Sequence, residues 1–146
     1  MNWFQDIEPD SVVSFDFDCT LTEPVYDWRD ELWHGGNEPK SVNIDLLKRY
    51  KDDGHSIIIT TSRDESAEGN NRKENTNYIT VKDFVKKHNL PVDEIVFTSG
   101  KDKGPFLKDR KVVVHYDDFA PEVDSANEYG IRGIKVPHPD DNKDRN

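Results

Sequence analysis

Asp16 and Asp18 flank a phenylalanine where an apolar run turns polar, in FDFDCTLT, and Thr20 follows two places on. A second apolar run, SIIITT (56–61), ends in Thr60 and Thr61, with Ser62 and Arg63 behind them. Lys101 and Lys103 follow a third run, and Asp117 and Asp118 follow a fourth, VVVHY (112–116). Crowded carboxylates repel, and a divalent cation relieves them. An all-oxygen donor set with no His or Cys cluster points to Mg²⁺. A carboxylate in that setting can attack phosphorus and carry the phosphoryl group. A second can protonate the leaving oxygen and then activate water. A hydroxyl and a lysine can hold the phosphoryl oxygens. The chain holds 20 Asp in 146 residues, so paired aspartates also arise by chance. Asp52-Asp53 and Asp140-Asp141 are read as solvated surface. The signal lies in the succession of strand ends.

The elements that must position these residues alternate. Strands are predicted over Ser11–Phe17, Ser56–Thr61, Glu94–Thr98, Val112–Tyr116 and Arg132–Val136. Helices are predicted over Asn43–Lys51, with Asn43 as N-cap, over 79–88 and over Pro121–Tyr129. A short helix or turn is expected at 104–107. Residues 22–42 and 64–76 read as loops. This order predicts an α/β, three-layer Rossmann-like fold with a central five-stranded parallel sheet. Ligands on such sheets sit at the carboxyl ends of the strands, where the polar residues above fall.

Composition narrows the classes. The net charge is −10, which argues against a basic nucleic-acid coat while leaving room for a local site. Residues 100–111 form a local basic stretch. Leu, Ile, Val and Phe make up about 24% of the chain, above the ~20% below which charged chains stay disordered. No apolar run approaches a membrane span. MNWFQDIEP has no apolar signal core, so no secretory leader is expected. The single cysteine, Cys19, excludes an internal disulfide and a multi-cysteine zinc site, and a cytoplasmic setting is expected. Trp28, Trp33 and His34 either stack a base or pin their loop to the core. His115 reads as a core histidine, Cys19 as buried behind the site, and His138 has no assigned role.

With these motifs the chain resembles the haloacid dehalogenase (HAD) superfamily of phosphohydrolases from Val12 to Val136. The resemblance implies Asp16 as nucleophile and Asp18 as general acid/base, with the backbone carbonyl at Asp18 a metal ligand. It implies Thr61, favoured over Thr60, as the second-motif hydroxyl, and Lys103, favoured over Lys101, as the lysine. Asp117 and Asp118 would hold Mg²⁺ directly or through water, together with Asp16 and Asp18. Cys19 stands where many members carry Gly. The loops at 22–42 and 64–76 are too short for a cap domain, so an open site is expected. TSRDES (61–66) is further similar to the phosphatase domain of phage polynucleotide kinase/phosphatase. That likeness implies removal of a 3′-phosphate from a nucleic-acid end or nucleotide, with Thr20, Ser62 and Arg63 on the substrate side. The loop 23–36 departs from that group's pattern. The expected organisation is a phosphatase domain over 1–137 and a polar, frayed tail over 138–146. The alternatives are a 5′-nucleotidase, a phosphoprotein phosphatase, or a non-catalytic phosphate-binding module on the same fold.

Overall fold

The computed structural model describes residues 3–68 and 78–141. Five strands form one parallel sheet: β1 (Val12–Phe15), β4 (Ser56–Thr61), β5 (Glu94–Phe97), β6 (Val112–Asp117) and β7 (Arg132–Lys135). Their order is β5-β4-β1-β6-β7, so β1 lies at the centre, with β4 and β6 on either side. The helices are α1 (Ser41–Asp52), α2 (Val81–Lys87), α3 (Lys103–Asp109) and α4 (Ala120–Glu128).

Strand alternation sorts the side chains. Val13, Phe15, Ile57, Ile59, Val114 and Tyr116 pack on one face with Leu47 and Tyr50 of α1 and Phe84 of α2. Ile58 and Val96 pack on the other with Leu107 of α3 and Ala126 of α4. Burying a side chain of this size stabilises the fold by about 1.5–3 kcal/mol. The second face also carries a buried polar row. Ser14 Oγ bonds Thr60 Oγ1 at 2.8 Å and His115 Nδ1 at 2.9 Å, across the three central strands.

Two readings are corrected. The segment 22–42 is not a loop: β2 (Thr22–Asp27) and β3 (Leu32–Pro39) form an antiparallel hairpin beside the main sheet. Its apolar alternation is broken by charge, Pro24, Gly35 and Gly36, so the period-two signal is missing. The cross-strand pair Tyr26–Trp33, with ring centroids 5.3 Å apart, holds it instead. Asn43 is not the N-cap of α1. The cap position is Lys40, and Asn43 lies inside the helix, where its Nδ2 donates to Thr20 O at 2.8 Å. That bond spends the polar side chain on pinning α1 to the turn after β1. The loop read at 64–76 opens with a 3-10 turn, Glu65–Ala67, and its part from 69 onward lies outside the described residues.

Candidate active site

β1 delivers Asp16 to the carboxyl edge of the sheet, where its N–H still bonds Tyr116 O at 2.9 Å. The chain then turns tightly, with Thr20 N and Leu21 N both donating to Phe17 O. Cys19 takes the left-handed φ of +66° in this turn. The turn returns Thr20 to the site, where its hydroxyl lies 3.0 Å from Asp16 Oδ2 and 3.2 Å from Asp118 Oδ1.

Lys103 opens α3 on the second sheet face. Its side chain is only 2% exposed, and Nζ donates to Asp16 Oδ1 and to Asp117 Oδ2, both at 2.7 Å. Lys101 is exposed, so the geometry selects Lys103. Asp117 accepts twice more: Oδ2 from His115 Nε2 at 2.8 Å and Oδ1 from Phe119 N at 3.0 Å. A carboxylate has no proton to give, so His115 carries its hydrogen on Nε2.

Charge sets the protonation. Burial works against the Lys103 ammonium, but Asp16 and Asp117 hold its pKa above the ordinary lysine range. Burial would raise Asp117, yet Lys103 and His115 hold it at about 2. Asp118 is pushed up to about 9 by burial and then by Asp16. Burial and Asp117 also raise Asp16. Oxygens of Asp16, Asp117 and Asp118 lie within 4.8 Å of one another, with Lys103 the ammonium bonded among them. The cluster thus retains a proton at a carboxylate where a divalent cation would serve better. The three carboxylates fit a hard cation, which Asp16 and Asp118 could hold while Asp117 accepts from Lys103 and His115.

Asp18 is held differently. Arg63 Nε and Nη2 grip its two oxygens at 2.9 and 2.8 Å. The same guanidinium donates from Nη1 to Glu68 Oε1 at 2.8 Å and Ile79 O at 3.0 Å, and it lies over the Phe17 ring. Arg63 is 7% exposed, so its donors face Asp18 and the residues that frame it. Gly35 of β3 lies against Asp18: a Cβ there would overlap Asp18 Oδ1 and stand 2.8 Å from Asp18 Cα. The hairpin therefore approaches the turn after β1 only because residue 35 is glycine.

Thr60 points into the Ser14–His115 row. Thr61 is buried, and its Oγ1 accepts from Arg63 N at 3.3 Å. Ser62 lines the cleft above the carboxylates, which measures about 410 Å³. Trp33 and His34 line it from the hairpin and Phe119 from the loop after β6. Trp28 is 84% exposed at the hairpin tip.

The sequence reading missed three contributors. His115 is fully buried, as expected of a core histidine, but its ring contacts Asp117. Its place one residue before Tyr116-Asp117-Asp118, on the face of Asp117, was the available signal. His138 Nε2 lies 3.8 Å from Asp118 Oδ2. The first residues of the segment read as a frayed tail are tied down, with Asp141 paired to Lys135 at 2.9 Å and accepting from His138 N.

No family model matches the chain. A class B acid phosphatase of Aggregatibacter actinomycetemcomitans serotype C (strain D11S-1) is 31% identical over 104 residues, 67% of this chain and 41% of that protein. One of Proteus mirabilis (strain HI4320) is 24% identical over 129 residues, 83% of this chain and 50% of that protein. The chain thus spans about half or less of these curated relatives. Among solved structures, a chain in the Pnkp1/Rnl/Hen1 RNA repair complex superposes with a TM-score of 0.62 at 19% identity, over 93% of this chain and 45% of that one. A second structure of that complex gives 0.61, over 92% and 48%. The chain is similar to class B acid phosphatases in sequence and to the repair-complex chain in fold.

Proposed function

We propose that this chain is a Mg²⁺-dependent phosphomonoester hydrolase working through a phosphorylated Asp16, and that its substrate is a 3′-phosphate on a nucleic-acid end or nucleotide. The observation that carries the reading is the cluster of Asp16, Asp117 and Asp118 around the buried Lys103 ammonium at the carboxyl edge of β1 and β6. Asp16, Asp118 and the Asp18 backbone carbonyl would hold the cation, which supplies charge neutralisation at the phosphoryl oxygens when bound.

An Asp16 oxygen attacks phosphorus, and the bond to the leaving oxygen breaks. Asp18, after taking a proton from solvent on an oxygen released from the Arg63 grip, gives that proton to the leaving oxygen. It then takes one from the water that attacks the aspartyl-phosphate, releasing phosphate and regenerating Asp16. Arg63 fixes the Asp18 carboxylate by its two-point grip. Lys103 already touches Asp16 and so lies beside the oxygens of any phosphoryl group that Asp16 accepts. Thr20 and Ser62 border the same space.

Two observations favour a nucleotide over a phosphoprotein. Trp33 and His34 flank the cleft on one side, and Phe119, 58% exposed, stands in the loop after β6. Aromatic faces of this kind stack bases. The test is Mg²⁺-supported phosphate release from 3′- and 5′-phosphorylated oligonucleotides, 3′- and 5′-mononucleotides and a phosphopeptide. Preference for 3′-phosphates supports the reading. Preference for 5′-mononucleotides or the phosphopeptide overturns the substrate, and silence across the panel overturns the activity.

A further inference from the structure

We propose that Cys19, Asp118 and His138 form a site for a thiophilic divalent cation such as Zn²⁺, beside the hard-cation site and sharing Asp118 with it. A sulfur, a carboxylate oxygen and a ring nitrogen from these residues lie within 4.8 Å of one another. Zinc takes this mixture of donors, often three from the protein with a fourth position left to water. The set differs in kind from the all-oxygen cluster next to it, which suits Mg²⁺.

Asp118 is placed to serve both. Its Oδ1 accepts from Thr20 on the Asp16 side, while Oδ2 lies 3.8 Å from His138 Nε2. Cys19 is 4% exposed and lines the cleft, and among the described residues no side chain hydrogen-bonds its thiol. The two backbones are tied together. Lys40 Nζ donates to Cys19 O at 3.4 Å and to Pro137 O at 3.1 Å, just before His138. Asp141 Oδ2 accepts from His138 N at 2.8 Å.

The proton balance is defined. His138 Nδ1 accepts from Asp140 N at 3.0 Å, so the neutral ring carries its hydrogen on Nε2. Coordination through Nε2 moves that hydrogen to Nδ1, which gives up the bond from Asp140 N and must close the 3.8 Å to Asp140 Oδ2 to donate there instead. A carboxylate in that place is the usual outer partner of a ligating histidine. The thiol gives its proton to solvent as the sulfur–metal bond forms, and the Asp118 carboxyl gives up the proton it holds in the metal-free protein, so two protons leave per ion bound near neutral pH. An ion held there draws on the carboxylate that the hard cation requires, so Zn²⁺ should inhibit turnover. That consequence rests on the phosphatase reading, whereas the binding does not.

The test is a Co²⁺ titration of the full chain, followed by the thiolate-to-metal charge-transfer band, with Zn²⁺ as competitor. Cys19 is the chain's one cysteine, so the band has a single source. Glycine accepts the left-handed turn without strain, so Cys19→Gly removes the thiol without strain at the backbone. The expected result is a band in the wild type that Zn²⁺ abolishes, no band in Cys19→Gly, and Co²⁺ affinity at least about tenfold weaker in His138→Ala. No band at saturating Co²⁺, or equal Zn²⁺ affinity in wild type and Cys19→Gly, overturns the proposal. Phosphate release with Mg²⁺ alone is followed in parallel. A band without turnover supports the zinc site and removes the phosphatase reading, and turnover without a band does the reverse.

Discussion

Replacing Lys103 with Met keeps the bulk of a buried side chain and removes its charge. In the wild type Nζ sits 2.7 Å from both Asp16 Oδ1 and Asp117 Oδ2. At an effective dielectric of about 20, each contact is worth about 6 kcal/mol of attraction before desolvation. Most of that offsets the cost of burying the charges. The net loss when one partner of a buried pair is removed is about 3–5 kcal/mol. Lys103→Met should therefore lower the unfolding free energy of the metal-free protein by about that amount at pH 8. The penalty should shrink at pH 5.5, where the orphaned carboxylates can take up protons. Adding Asp117→Asn should recover part of the loss, because it removes one of the two orphans. Urea unfolding of the two single variants, the double variant and the wild type at both pH values reads all of these. A Lys103→Met protein within about 0.5 kcal/mol of wild type at pH 8 would refute the reasoning, since surface changes alone give that much.

Further outcomes follow from the same geometry. Arg63→Lys loses the two-point grip on Asp18, and steady-state kinetics should show kcat down by about 10²-fold with KM little changed. Gly35→Ala pushes a methyl into Asp18, and thermal melts should show about 1–3 kcal/mol lost together with most of the activity. Asp118, held at about 9 in the fold against an ordinary 3.8, binds a proton in the native state and not in the unfolded chain between those pH values. The stability of the metal-free protein should therefore fall as pH rises through that window. Mg²⁺, which replaces the proton, should raise Tm more at pH 8 than at pH 5.5, and an equal shift at both would contradict the assignment.

The sheet was legible because its central strands are short, β-branched and largely buried, and runs such as SIIITT announce this without any periodicity. Asp16, Asp117 and Asp118 were legible because parallel strands bring their carboxyl ends to one edge, and Lys103 reaches them from the first turn of α3. The hairpin was not. It is held by Tyr26 against Trp33 and by Gly35 seated on Asp18, contacts that exist only once the sheet edge is built. The engagement of Arg63 was also hidden, because a residue following a strand can point into the cleft or across it. The contact of His115 with Asp117 was open to reading, since the two share one face of β6, whereas His138 reaches Asp118 only through a folded-back tail.

The most direct measurement is to trap the enzyme during turnover with Mg²⁺ and a phosphorylated oligonucleotide, and to locate the transferred phosphate by mass spectrometry. The expected result is acid-stable phosphate on Asp16 in the wild type, and neither label nor phosphate release in Asp16→Asn. Undiminished phosphate release by Asp16→Asn, or label on another residue, would contradict the mechanism.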